Sequence, residues 1–309
     1  MPPSVLTLTN VNKQFGDFRA VKDLSLSIPR GSVYGFLGPN GAGKTTSIRM
    51  SLGILAPDSG ELSILDHPSA LQVRSRIGYL PEEKGLYKKM RVWAIIAYFG
   101  MLKGLDKKTA KARSHELLEK YGLHEFAEAR VEALSKGMGQ KVQVLASVVH
   151  EPELVILDEP FSGLDPVNQQ VLEKLIRDMA DNGQTVIFST HVMQHAERLC
   201  DHLLLITHGT KVFDGTVAQA RALIPRRITL ETPDEAGPLT SLEGVVNIVR
   251  DGSDTQRWQV QISEKANPQD ILKKCFTEGI ALSRFEYTEP SLHDVFVHLV
   301  KAEPATEEA

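Results

Sequence analysis

Cysteine is almost missing from this sequence of 309 residues: Cys200 and Cys275 are the only two. Two thiols without metal-ligand spacing give no basis for a disulfide framework or a zinc cluster, and they fit a reducing compartment. Blocks of basic charge are missing too. Lysine and arginine number 35 against 39 aspartates and glutamates, a formal net charge of −4, which argues against a nucleic-acid-binding face. Apolar runs are short. The longest, Val92–Leu102, would make a helix of about 17 Å, well under the roughly 30 Å of bilayer hydrocarbon. The opening Met1-Pro-Pro-Ser4 has no charged segment leading into an apolar core, so no signal peptide is expected. There is no internal repeat. What remains is an ordinary globular composition, 42% hydrophobic and 24% charged, enough for a sizeable core and, at this length, about two domains. The expectation is a soluble, cytoplasmic chain.

Against that plain background one octapeptide stands out. Gly38-Pro-Asn-Gly-Ala-Gly-Lys-Thr45 follows the apolar run Val33–Leu37 and precedes a segment with Ile48, Leu52 and Leu55 at helical spacing. It fits G-x-x-x-x-G-K-[ST] in the strand, glycine loop and helix setting that gives the pattern meaning. Glycines let the backbone curl so that several N–H groups converge on phosphate oxygens, and the helix adds the positive end of its dipole. In such a loop Lys44 would neutralise β- and γ-phosphates, and the Thr45 hydroxyl would hold Mg²⁺.

Glu153-Leu-Val-Ile-Leu-Asp-Glu-Pro160 carries the second signal. An apolar strand delivers Asp158 and Glu159 at its C-terminal end, where α/β sheets place their ligands. Asp158 would reach Mg²⁺ through water, and Glu159 would polarise an attacking water as general base. Adjacent acids after a strand are commonly a solvated turn; the phosphate loop upstream is what makes them a P-loop NTPase metal site. Leu134-Ser-Lys-Gly-Met-Gly-Gln140 opens a helix with Val142, Leu145, Ala146 and Val149 on one face. Ser135 would cap it, leaving amides toward an anion, although a capped core helix explains the stretch equally well. Ser162–Pro166 follows the acids, and a strand over Thr185–Ser189 ends in Thr190-His191. A single histidine there is more often structural than catalytic.

Strand and helix signals organise the rest. The start is β-rich, with alternating patterns over Val5–Phe15 and Ala20–Ile28. A strand at Glu61–Leu65, a helical stretch and a strand at Ile77–Leu80 follow. From Tyr87 to about Leu123 the chain turns helical and lysine-rich, which reads as a helical insertion, about 87–150, within an α/β domain over 4–222. Strands at Leu154–Leu157, Thr185–Ser189 and Leu203–Ile206, with helices at Val167–Asn182 and Val192–Cys200, predict a mainly parallel sheet covered on both faces. Beyond Ala222–Arg227 the pattern becomes β, short α, β, β, α, β, α, which fits a small ferredoxin-like α+β domain over 227–301. Its markers are an alternating Trp258–Ile262, Asn267 as N-cap before Pro268, Gly279 as helix stop, and a last helix Ser291–Val300 with Leu292, Val295, Phe296 and Leu299 on one face. His293 and His298 read as surface or core residues rather than metal ligands. The acidic tail, 302–309, reads as disordered.

In this order, the stretches together resemble the ATP-binding subunits of ABC transporters over roughly residues 4–220. The resemblance implies a P-loop NTPase fold with an N-terminal antiparallel β subdomain and a helical insertion. It makes Gly38–Thr46 the Walker A loop, with Gly38, Asn40, Gly41, Ala42, Gly43, Lys44, Thr45 and Thr46 around the phosphates. Leu134–Met138 becomes the signature loop, Asp158 and Glu159 the Walker B pair, Ser162–Asp165 the D-loop and His191 the switch histidine. Phe15, in Lys-Gln-Phe-Gly, falls where the family stacks an aromatic on adenine. ATP and Mg²⁺ are the implied cofactors, with Lys44, Glu159 and His191 as the catalytic set and Thr45, Asp158 and Glu82 around the metal. The implied partners are integral membrane permease subunits and a second copy or homologous subunit paired head to tail. Ser135 and Gly137 of one chain would then complete the phosphate site of the other. Nucleic acid is not among the expected partners. Such a chain would be cytoplasmic and peripheral on the inner face of the cell membrane.

Two positions depart from the family pattern. Glu82, followed by Glu83, stands where glutamine is usual and adds negative charge near the γ-phosphate, while a carboxylate could still ligate Mg²⁺. The signature carries Lys136 and Met138 but keeps Ser135 and Gly137; Lys136 is expected to face solvent. The C-terminal Glu289–Val297 looks like the ABC-2-type exporter branch, which includes sodium-efflux and drug-resistance ATPases. The implied function couples ATP-driven dimer closure, through the Val92–Leu102 helix and the Tyr87–Met90 edge, to separate membrane subunits; core packing explains the same helix equally well, and the two readings can hold for different faces. One alternative is a soluble ABC-type ATPase acting on ribosomes or DNA, which would carry tandem nucleotide domains, coiled-coil inserts or zinc clusters. The other is a P-loop kinase, which leaves the signature and His191 unexplained.

Overall fold

A computed structural model describes residues 4–83, 85–250, 256–263 and 265–302. They belong to two compact units, Met1–Thr216 and Val217–Ala309. The first unit opens as a hairpin of β1 (Ser4–Phe15) and β2 (Phe18–Pro29), antiparallel around the two-residue turn Gly16-Asp17. β3 (Val33–Leu37), wholly buried, leads through the glycine loop into α1 (Lys44–Ser51). β4 (Ser59–Ile64) then returns to β1, giving a three-stranded sheet in the order β2-β1-β4.

The expected helical stretch before β5 (Ile77–Leu80) is two separate three-residue 3₁₀ turns, Ala70–Gln72 and Arg74–Arg76. Ser69 caps the first, but Val73 leaves the helical region between them (φ −119°, ψ 15°). A segment this short cannot recover the cost of helix nucleation.

The insertion supplies α2 (Val92–Leu102), α3 (Lys107–Lys120) and α4 (Lys136–Val148). β6 (Leu154–Leu157), α5 (Pro166–Asp181), β7 (Thr185–Thr190), α6 (Met193–Leu199), β8 (His202–Thr207) and β9 (Thr210–Thr216) complete the unit. The sheet order is β5-β6-β7-β3-β8-β9, parallel except for β9. Because side chains alternate across a strand, β6 feeds two cores. Val155 and Leu157 join Ile95, Val142, Leu145 and Leu172 on the helical side. Leu154 and Ile156 join Leu6, Val21, Ile28 and Ile48 on the other. A strand buried on both faces has no place for a polar residue, which is why it reads as an unbroken apolar run. α2 is likewise apolar at Val92, Ile95, Ile96 and Ala97, which it buries. Among the described residues no helix is long and apolar enough to cross a membrane.

In the second unit, α7 (Val217–Arg221) precedes β10 (Arg226–Glu231), a 3₁₀ turn at Gly237–Ser241, β11 (Val245–Arg250) and β12 (Arg257–Ile262). α8 (Pro268–Thr277), β13 (Arg284–Thr288) and α9 (Leu292–Ala302) follow. The antiparallel order β11-β12-β10-β13 is that of a ferredoxin-like sheet, with its first crossover shortened to the 3₁₀ turn. Trp258, Val260 and Ile262 of β12 point into a core with Ile271 and Cys275. Asn267 caps α8 at the Gln269 N–H, as its spacing predicts. The Ser291 hydroxyl accepts from the Asp294 N–H while the Asp294 carboxylate accepts from the Ser291 N–H, a reciprocal cap that starts α9. His293 and His298 are exposed. Residue 302, expected in the tail, closes α9, and 303–309 lie outside the described residues.

His150, just past α4, is buried with Nε2 3.2 Å from the Ile77 carbonyl. Burial, helped by the Lys103 charge, pushes its pKa from 6.5 down to about 4. The unfolded chain takes up this proton first as pH falls, so the stability contribution is whole above 6.5 and is lost through the window down to 4. The loss reaches about 3 kcal/mol at the lower end. Denaturation midpoints should therefore fall more steeply with acidification for the wild-type chain than for His150→Gln. Parallel curves for the two proteins would remove His150 from that account.

Candidate active site at the edge of the parallel sheet

Strand register places the chemistry. β3 pairs with β7 from Val33↔Val186 to Leu37↔Thr190, and β7 pairs with β6 up to Leu157↔Phe188, with no shift in either ladder. Three strand ends therefore reach one edge, and Gly38, Asp158 with Glu159, and His191 leave the sheet side by side.

Gly38 leaves β3 against the Ile206 carbonyl, which lies 2.1 Å from where a Cβ would stand. Gly43 turns into α1 at φ 103°, its Cβ position 2.4 Å from the Ala20 carbonyl. Only glycine fits either place. Lys44, first in α1, reaches back over the loop. Its ammonium donates to the Gly38 carbonyl at 2.7 Å and the Pro39 carbonyl at 3.0 Å, and lies 3.5 Å from Glu159 Oε1.

Asp158 is held from two sides. The Thr45 hydroxyl donates to its Oδ1 at 3.1 Å and the Ser189 hydroxyl to the same oxygen at 2.5 Å. Ser189 in turn accepts from the Glu159 N–H at 2.8 Å, so one hydroxyl fixes a side chain and the next residue's backbone. Burial pushes the Asp158 carboxyl above the usual carboxylate range, with both hydroxyl donors working against it. Its Oδ2 is buried without a hydrogen-bond partner among the described residues. Such an atom calls for an explanation. Oxygen donors from Thr45 and Asp158, with one carboxylate oxygen left over, suit a hard cation that keeps most of its water and takes its other ligands from phosphate.

Glu159 takes φ 46°, a left-handed conformation that costs a non-glycine residue about 1–3 kcal/mol. The turn aims its carboxylate. Oε2 accepts from His191 Nδ1 at 3.0 Å, which fixes the protonated ring nitrogen. Oε1 is buried and makes no hydrogen bond; Lys44 at 3.5 Å is close enough for charge attraction only.

A pocket of about 380 Å³ opens over these groups, walled by Phe15, Phe18, Ala20, Asn40, Gly41, Ala42, Gly43, Lys44, Thr45, Thr46, Glu82 and Glu159. Phe15 and Phe18 stand opposite each other across the β1–β2 turn, both largely exposed, with Lys13 Nζ 5.5 Å above the Phe15 ring. Two uncovered aromatic rings beside a phosphate loop form a stacking surface for a flat base. A larger cavity, about 480 Å³, lies within the second unit among Leu223, Ile224, Ile262, Arg221, Arg226 and Glu289.

The structure thus brings together Phe15, the loop from Asn40 to Thr46, Glu82, Asp158, Glu159 and His191. Gly38 lies beneath the loop as the acceptor for Lys44. Ser135 and Gly137 are outside the pocket wall. Ser135 caps α4 by accepting from the Met138 N–H at 3.3 Å and is itself exposed. A Cβ on Gly137 would meet Asn168 Nδ2 at 2.5 Å. Lys136 is exposed as expected, yet its ammonium lies over Gly163, 2.2 Å from where a Cβ would stand. Gln140 Nε2 donates to the Pro160 carbonyl at 3.1 Å. Two residues of the site escaped the sequence reading. Phe18 was findable, because a two-residue turn at Gly16-Asp17 puts it opposite Phe15. Ser189 had no distinguishing signal, since it occupies one strand position among several.

Comparison with known proteins decides the family. The ABC transporter family model matches residues 21–162, and that of the ATP-binding protein DrrA1-3-like C-terminal domain matches residues 215–300. The uncharacterized ABC transporter ATP-binding protein YhaQ of Bacillus subtilis (strain 168) is 39% identical over 299 residues, covering 96% of this chain and 99% of its own length. The chain belongs to the ABC transporter ATP-binding proteins. Members of this family hydrolyse ATP to power transport. Nod factor export ATP-binding protein I of Rhizobium sp. (strain N33) is 33% identical over 310 residues, 98% of this chain and 99% of that one. Among solved structures, cbiO1 from Clostridium perfringens, part of the ABC transporter complex cbiONQ, superposes with a TM-score of 0.64 at 27% identity, covering 71% of this chain and 91% of its own.

Ser189→Ala should leave Asp158 and the Glu159 N–H each short of a partner. ATP turnover should drop about 10- to 100-fold and stability by about 1–3 kcal/mol, with ATP affinity nearly unchanged; turnover within twofold of wild type would refute the bridging role. Phe18→Ala should weaken nucleotide binding by about 0.5–1.5 kcal/mol, measured by titration calorimetry with ATP, and an unchanged affinity would take Phe18 out of the base-binding wall.

Proposed function

We propose that this ABC ATP-binding chain works as the motor of an exporter-type complex, hydrolysing MgATP at composite sites shared by two nucleotide-binding subunits. The observation that carries the reading is the placement of Glu159, turned by a left-handed backbone to lie between Lys44 and His191 and one residue from an Asp158 pinned to Thr45. In this reading Phe15 and Phe18 receive adenine. The loop Gly38–Thr46 wraps the phosphates and Lys44 offsets their charge. Thr45, Asp158 and Glu82 would hold Mg²⁺, whose charge supports departure of the β-phosphate oxygen. Glu159 accepts the proton of the water that attacks the γ-phosphorus, while His191 Nδ1 keeps the carboxylate aimed. The bond from that phosphorus to its bridging oxygen breaks, giving ADP and phosphate.

The half-site character rests on Ser135 and Gly137. Ser135 is exposed at the helix N-terminus and Gly137 is buried two residues on; both stay out of the chain's own pocket wall, where they suit a phosphate held by a second nucleotide-binding subunit, another copy of this chain or a homologous one. The nucleotide-binding module spans 4–222 and the accessory unit 227–301. Membrane permease subunits supply the transport path and dock on the helical insertion, where Tyr87, Met101 and Leu102 are exposed. The chain is then cytoplasmic and peripheral on the inner face of the membrane, without a role for nucleic acid. Export as the direction draws on relatives named as export ATP-binding proteins and on the match of the C-terminal unit.

Glu159→Gln should lower turnover by about 10²–10⁴-fold while ATP binding persists, and the variant should elute at twice its mass in MgATP. Near-normal turnover would remove Glu159 as base. Affinity purification from solubilised membranes should recover an integral membrane protein; recovery of ribosomal proteins in its place would favour the non-transport alternative.

A further inference from the structure

α6 carries a second histidine, four residues past His191, that the chemistry above does not use. His195 is buried, and its ring lies flat on that of Phe161, with centroids 4.0 Å apart and planes 11° from parallel. Phe161 is two residues beyond Glu159 and meets Phe188 of β7 edge-on at 5.8 Å. On its other side His195 places Nδ1 3.5 Å from Glu173 Oε1 of α5, an oxygen that also receives Arg198 Nη1 at 3.3 Å. Glu159 and His191 leave the sheet from different strands and run on into different helices. The stack of His195 on Phe161 is where those two exits meet again.

We propose that His195 is a positioning residue for hydrolysis: stacked on Phe161, it sets the spacing between the segment that bears Glu159 and the segment that bears His191. The flat stack fixes the ring's height above the loop; Glu173 lies beside Nδ1 without a hydrogen bond, so the stack is the contact that holds the ring. Without the ring, the turn after Pro160 and the start of α6 lose their mutual reference, and the 3.0 Å contact between His191 and Glu159 loosens. Displacements of about 1 Å in such a contact are enough to cost up to 10²-fold in rate.

The proposal rests on Glu159 and His191 acting as a pair, and the test separates the two. ATP turnover by the full chain is measured for His191→Ala, His195→Ala, His195→Phe, His195→Leu and the double variant His191→Ala/His195→Ala, with melting temperatures alongside. His195→Ala should lower kcat about tenfold with KM for ATP within about twofold. His195→Phe, which keeps a flat ring, should recover most of that loss. In the His191→Ala background, removing His195 should change kcat by less than about twofold, because the contact it sets is already gone. A folded His195→Ala with normal kcat overturns the proposal, and so does the full tenfold loss reappearing in the His191→Ala background. Should His195→Ala not fold, wild-type kcat in a folded His195→Leu, which fills the space without a flat ring, has the same force. Normal turnover in His191→Ala itself would instead bring down the pairing on which the proposal stands.

Discussion

One hydroxyl, that of Ser189, holds the two acids of this site in their relation to each other. It donates to Asp158 and accepts from the Glu159 N–H, and it can do both only because β6 and β7 run parallel without a shift. A slip of one residue would turn Ser189 to the opposite face of the sheet. It would also move Asp158 and Glu159 away from Thr45 and the glycine loop. The apolar contacts that hold the register are therefore part of the chemistry. Val155 and Leu157 on one face, with Leu154 and Ile156 on the other, keep β6 in place with no polar atom free to bargain for another position.

From that fixed edge the site spreads into less rigid parts. The phosphate loop needs glycine where the Ile206 and Ala20 carbonyls press against it, so its shape comes from neighbouring backbone as well as from its own sequence. α4 is tied back to the same region by Gln140 at Pro160 and by Lys136 over Gly163. The N-terminal end of α4, which bears Ser135 and Gly137, is thus linked to the loop that follows Glu159.

Much of this was readable before any coordinates, because the informative residues obey local rules. Gly38–Thr45 needs only its own backbone and the elements on either side. β6 is bounded as the apolar run suggests, Leu154–Leu157, since burial on both faces allows nothing else. Asn267 and Pro268 announce α8 through cap geometry. The unreadable parts depend on distant neighbours. Ser189 gains its role from Asp158, just past the end of the β6–β7 ladder and 31 residues earlier in the chain. Lys136 has its place from a loop residue, Gly163, on another element. The two 3₁₀ turns before β5 reflect a segment with too few residues to finish a helix. The Ser291 and Asp294 cap of α9 was legible in its spacing and passed unread.

Glu159 stands in a left-handed backbone conformation, with one carboxylate oxygen buried and lacking a hydrogen bond. Glycine or asparagine would occupy the same turn with less strain. The residue that does the chemistry in the proposed reading is thus one that folding alone would replace. Laboratory selection of this protein for heat resistance, without a demand for turnover, would tend to drift toward sturdier and inert descendants at this position.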